Sequence, residues 1–155
     1  MNIQERIEAL ETEFNEKIKA LKAEAQREDE FPQGGDLYWI IEDSTEVSRY
    51  AWKGDDFDNQ HLPVGNVFRT KEQAEFAAEK LKVEAELRKF SVPFEPMVDN
   101  FYMVLDLSDG DIGFWSMVYS KAQGAIYFES KKTAIEAIQS VGKERIKKYI
   151  FGVED

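Results

Sequence analysis

Two stretches sixty residues apart read alike. Val67–Leu81 is VFRTKEQAEFAAEKL and Tyr127–Val141 is YFESKKTAIEAIQSV. Without a gap, Phe68 aligns with Phe128, Thr70 with Ser130, Lys71 with Lys131, Ala74 with Ala134 and Ala77 with Ala137. In each, a short apolar run meets a hydroxyl residue and a helical pattern follows, the arrangement expected of a strand, an N-cap and a packed helix. What precedes each stretch also matches. LYWIIED (Leu37–Asp43) and VSRYAWK (Val47–Lys53) flank a tight segment, as do FYMVLDL (Phe101–Leu107) and IGFWSMVYS (Ile112–Ser120) around SDGD. Aromatic and branched runs so spaced predict two hairpins. With third strands at Gly65–Thr70 and Ala125–Ser130, the order strand, strand, strand, helix occurs twice. The expected fold class is α+β: two tandem βββα units with antiparallel sheet, at residues 36–90 and 100–155. An extended connector carries Pro93 and Pro96. Gly142 weakens the last helix by about 1 kcal/mol.

Residues 1–30 carry a different signal. Ile3, Ile7, Leu10, Phe14, Ile18 and Leu21 recur at helical spacing, and Ala25 extends the row. The pattern repeats every eleven residues, about 3.67 per turn, so the stripe runs almost straight along one face of a long amphipathic, coiled-coil-like helix. Charged and amide side chains fill the other faces. Side chains this large, each worth about 1.5–3 kcal/mol when fully buried, require a cover. The narrow stripe points to pairing between chains, with packing on the same chain as the alternative. Phe31-Pro32-Gln33-Gly34-Gly35 is read as a joint with little structure of its own.

The chain of 155 residues has no cysteine, so disulfides, thiolate nucleophiles and Cys-ligated zinc are excluded and a cytoplasmic location is expected. No apolar run approaches membrane-spanning length. Net charge is −11, concentrated in residues 1–30 and in the two strand regions. Such a field repels phosphate backbones and favours a protein partner with a basic surface over direct nucleic-acid binding. His61 is the single histidine and lies in a polar loop beside Pro63, a poor basis for a catalytic triad or a zinc site. Asp55-Asp56-Phe57-Asp58 and Asp106, Asp109, Asp111 are acidic enough for a hard cation but lack a calcium-loop pattern, and are read as a solvated loop and a turn. The strand aromatics are read as sheet core and cross-strand pairs, with a protein-docking patch as the alternative. No catalytic, cofactor-binding or metal-binding residue is expected, and no cofactor.

YWIIEDSTEV, the Trp-Asp-Asp loop and GNVFRTKEQAEFAAEKLKVEAELRKF resemble a group of small phage and prophage proteins of unassigned activity. The likeness covers Leu37–Phe90 best and Gly124–Glu154 less well. It implies a viral origin and a protein working in the cytoplasm of a bacterial host. The expected function is then a non-enzymatic protein–protein interaction module. One form is an acidic inhibitor of a host nucleic-acid-processing or CRISPR-type defence enzyme, presenting Glu5, Glu8, Glu11, Glu13, Glu16, Asp55, Asp56 and Asp58 where that enzyme expects phosphates. Another is a dimeric structural or assembly protein of a phage, a homodimer through Ile3, Ile7, Leu10, Phe14, Ile18 and Leu21. A small-ligand binder or enzyme is the remaining alternative.

Overall fold

Asn2 starts the first helix. Its side chain accepts from the Glu5 N–H and the Glu5 carboxylate accepts from the Asn2 N–H, each at 2.8 Å, a reciprocal capping box. In the computed structural model, which describes residues 2–154, helix α1 then runs Ile3–Asp29, about 40 Å. The hairpin β1 (Leu37–Ile41) and β2 (Val47–Ala51) follows, turning through a 3₁₀ segment at Asp43–Thr45. Next come α2 (Asp56–His61), a 3₁₀ turn at Leu62–Val64 and α3 (Lys71–Arg88). The second hairpin, β3 (Asn100–Asp106) and β4 (Asp111–Met117), leads to α4 (Lys131–Val141) and α5 (Lys143–Tyr149). The protein is α+β, with two separate two-stranded antiparallel sheets. In the second, Asn100 pairs with Met117 and Asp106 with Asp111.

The expected third strands contract to one residue each. Phe68 forms a single antiparallel bridge to Trp39 of β1, and Phe128 forms the same bridge to Phe101 of β3. Two backbone hydrogen bonds make each bridge: 2.8 and 2.9 Å in the first, 2.8 and 3.3 Å in the second. Three positions later the helices begin. Ser130 caps α4 by accepting from Thr133 N at 3.2 Å, and Thr70 stands immediately before α3. The aligned phenylalanines therefore occupy the same place in the two junctions, though neither junction is a full strand.

The chain divides into two compact units. The first takes the chain up to Ile40 together with Ser48–Lys71; the second takes Ile41–Val47 and the chain from Glu72 onward. In the first, Tyr38, Ile40 and Trp52 form a small core joined by Phe31, Tyr50 and Val67. The Phe31–Gly35 joint has more structure than its composition suggests. Phe31 packs on this core under the Arg69 guanidinium, 4.7 Å away, and Gln33 and Asp36 close a turn.

The second unit holds the larger core. Val83 and Leu87 of α3 pack with Phe128, Ala134, Ala137, Val141 and Ile146. Helix α3, expected to close the first repeat, thus packs within the second unit, because its apolar C-terminal half meets α4 and α5 residues. Gly142, at φ +101°, does more than weaken the last helix: it ends α4 and starts α5, so the chain turns there and Ile146 enters the core. Arg145 fastens α5 to α3 through both Glu86 carboxylate oxygens, at 3.0 and 3.1 Å. Buried Asn100 ties the Pro-rich connector to the hairpin: its amide donates to the carbonyls of Glu95, Val98 and Met117 and accepts from Glu95 N.

The two aligned phenylalanines differ in burial, Phe128 being 1% exposed and Phe68 only half-buried. Phe128→Ala is expected to cost about 3–5 kcal/mol of unfolding free energy and Phe68→Ala clearly less. Urea denaturation of the two variants checks this; equal losses would mean that the deeper burial of Phe128 does not set the cost.

Candidate functional site

Helix α1 keeps its apolar stripe in solvent. Ile3 is 76% exposed, and Leu10, Phe14 and Leu21 are 64% exposed each. Ile7 is also exposed, and Ile18 alone is half-buried. Leu10 and Phe14 line a shallow open groove with Glu11, Glu13 and Lys17 at its sides. Five of the six predicted oligomerisation residues are therefore exposed along one face of the helix.

The predicted acidic residues of α1 share the helix with that stripe. Glu5, Glu8, Glu11, Glu13 and Glu16 are all exposed. Two are engaged locally, Glu5 in the capping box and Glu13 in an ion pair with Lys17 at 2.6 Å. An exposed pair of this kind is worth little. The carboxylates lie at the sides of an apolar seam, so a partner that covers the seam meets charge as well.

The acidic loop is a helix. Asp55 caps α2, accepting from Asp58 N at 3.1 Å, with Asp56 in the first turn, where the helix dipole favours its charge, and His61 in the last. Asp55 and Asp56 face solvent, but Asp58 does not: it is 2% exposed. Its Oδ1 accepts from the Tyr38 hydroxyl, and its Oδ2 from the Lys53 and Gly54 N–H groups at 2.6 and 2.7 Å. Asp58 is thus withdrawn from partner binding; it fastens α2 to the hairpin. Burial pushes its pKa up, but the Tyr38 hydroxyl and the backbone donors outweigh this and hold it below the ordinary value. The Tyr38 hydroxyl is driven up, first by burial and then by the carboxylate beside it. His61 completes a row of rings: Tyr38 to Tyr50, Tyr50 to Phe57, and Phe57 to His61 at 4.7 Å.

The turn carboxylates are likewise spent locally. Asp106 accepts from Ser108 N and Oγ, Asp109 from Asp111 N, and Asp111 pairs with Lys143 and Lys147. Among the described residues, no group of three His, Cys, Asp or Glu stands close enough to hold a metal ion. Of the aromatics expected on strands, Tyr38, Trp52 and Tyr127 are buried, while Trp115 and Tyr119 are exposed; Trp52, Tyr119 and Tyr127 lie outside the strands. A cleft of about 270 Å³ in the second unit, lined in part by Leu87, Tyr102, Met103, Ile126, Phe128 and Phe151, lies just under the usual range for ligand pockets. No helix among the described residues is long and apolar enough to cross a membrane.

The sequence reading missed the Tyr38–Asp58 pair, yet a signal was there. Alternation in LYWII puts Tyr38 beside Ile40 on the buried face, and a buried tyrosine hydroxyl needs a polar partner. Tyr38→Phe leaves a buried carboxylate one donor short and should cost about 1–3 kcal/mol. Because the folded pKa of Asp58 is lowered, its contribution is present above the unfolded value of about 3.9 and lost as pH falls through the folded value. Asp58→Asn should therefore destabilise more at pH 7 than at pH 3. Unfolding midpoints at the two pH values check both variants; an unchanged midpoint for Tyr38→Phe would show that the bond contributes nothing. No family model matches the chain, and no curated protein or solved structure matches it significantly.

Proposed function

We propose that this chain is a non-enzymatic protein–protein interaction module whose contact element is α1. The exposed stripe carries the reading. Five large side chains, Ile3, Ile7, Leu10, Phe14 and Leu21, lie in water along one face of the helix. Isolated helices are marginal in water, and a helix in a folded protein draws most of its stability from packing an apolar face. A stripe at eleven-residue spacing is the seam of a helix–helix interface. The rest of the chain supports the helix: Phe31, just past its end, anchors in the first core.

The tandem arrangement belongs to the same reading. Two hairpin-to-helix junctions, each with a bridging phenylalanine and a hydroxyl residue before its helix, support a duplicated β-hairpin–helix unit whose third strand has shrunk to one residue. Such a pair is a scaffold that carries α1. With the phage-protein resemblance, it favours a dimeric assembly role in a phage-infected cell.

The five exposed glutamates of α1 favour a second form of the reading, in which a basic protein surface, such as the channel of a nucleic-acid-processing or defence enzyme, receives the acidic end of the helix. Asp55 and Asp56 remain available to it; Asp58 does not.

Light scattering after size exclusion, on the full chain alone and after incubation with bacterial lysate, tests the module. The wild type should elute in a complex, and Leu10→Ser with Phe14→Ser should elute as a monomer that still unfolds cooperatively, since neither side chain belongs to a buried core. A wild type that stays monomeric in both settings sinks the reading. Salt separates the two forms: at 1 M the Debye length falls to about 3 Å, so a complex held by glutamates dissociates while one held by the stripe persists.

A further inference from the structure

We infer that α1 pairs with α1 of a second copy, antiparallel and centred on Phe14. This deepens the interaction-module reading and rests on it. Three observations converge.

The stripe is the same in both directions. From Ile3 to Ala25 its spacings are 4, 3, 4, 4, 3, 4, with Phe14 at the midpoint. A two-fold axis at Phe14 therefore lays stripe on stripe without a gap. Ile3 faces Ala25 of the second copy, Ile7 faces Leu21, Leu10 faces Ile18, and Phe14 faces itself. Self-complementarity of one patch is what an isologous dimer requires. The eleven-residue period keeps both seams nearly straight over their whole length.

The charges divide close to that midpoint, between Glu16 and Lys17. Glu5, Glu8, Glu11, Glu13 and Glu16 stand against Arg6 alone in the first half, net −4 over Ile3–Glu16. Lys17, Lys19, Lys22 and Arg27 stand against Glu24 in the second, net +3 over Lys17–Arg27. An antiparallel pair sets Glu5–Glu11 of each helix on Lys17–Ala23 of the other, leaving Glu13 and Glu16 of both copies near the centre. A parallel pair in register sets acid on acid and base on base, and unlike partners across an interface are what fix its orientation. Glu28, Asp29 and Glu30 fall beyond the start of the opposing helix in the antiparallel register, so they do not oppose its glutamates. The third observation is the exposure of the stripe itself: a second copy supplies the missing cover.

The absence of cysteine gives a clean test. Ile7→Cys and Leu21→Cys full-length variants are oxidised separately and as a mixture. An antiparallel pair gives a disulfide dimer only in the mixture, between one chain of each kind. Like positions at 7 lie roughly 21 Å apart along the axis, far outside disulfide reach. Disulfide dimers of each variant alone would show a parallel pair and overturn the orientation. No disulfide in any sample, with a monomer in sedimentation, would overturn self-pairing; a stripe-dependent complex with another protein would then leave the broader reading standing. Phe14→Glu should raise the dissociation constant by roughly 100-fold or more, since it sets two carboxylates face to face in place of two rings, and an unchanged constant would also overturn the proposal.

Discussion

One pair of backbone hydrogen bonds in each half of the chain joins a hairpin to the head of a helix, and the folded part is arranged around those two joints. Trp39 meets Phe68 and Phe101 meets Phe128, across separations of 29 and 27 positions. Closing a loop of that length costs about 3 kcal/mol of chain entropy, more than two hydrogen bonds return at about 1 kcal/mol each. The bridges therefore depend on side-chain burial. In the second unit Phe128 sinks among Val83, Leu87, Ala134 and Ile146. In the first, a smaller core gets help from an ionised carboxylate that draws α2 onto the hairpin through three donors.

That carboxylate shows why charge counting misleads at short range. Asp55, Asp56 and Asp58 are three acids in four residues, and composition treats them alike. Their fates differ because a helix turns by 100° per residue. Asp55 caps, Asp56 faces water, and Asp58 points inward to two N–H groups and a phenol. The same holds for Asp106, Asp109 and Asp111, where turn geometry sends each to a different donor.

The long periodic elements were legible in the sequence. Helix α1, both hairpins and the heads of α3 and α4 follow from spacing, aromatic runs and hydroxyl caps. The third strands are shorter than expected, since the apolar residues before each hydroxyl residue meet the neighbouring strand at a single residue. Helix α2 was under-read as loop although Asp55, the acidic first turn and His61 spell a short helix. Gly142 was legible as a weakness but not as a corner, because only packing of Ile146 decides whether a glycine bends a helix or ends it. The stripe on α1 was readable from the first thirty residues. That the chain itself leaves it bare required coordinates, since periodicity marks an apolar face and says nothing of what lies against it.

The length of α1 has a consequence for reach. Its 27 residues make a rod of about 40 Å. In an antiparallel pair the chain beyond Asp29 departs from opposite ends of that rod, so any surface of the folded units is offered twice by one assembly. Two weak contacts on such a frame act as one strong contact when their target repeats at a matching distance, and stay weak when it does not. The helix would then serve as a ruler, and the spacing of sites on the target, more than the strength of any one of them, would decide what the protein holds.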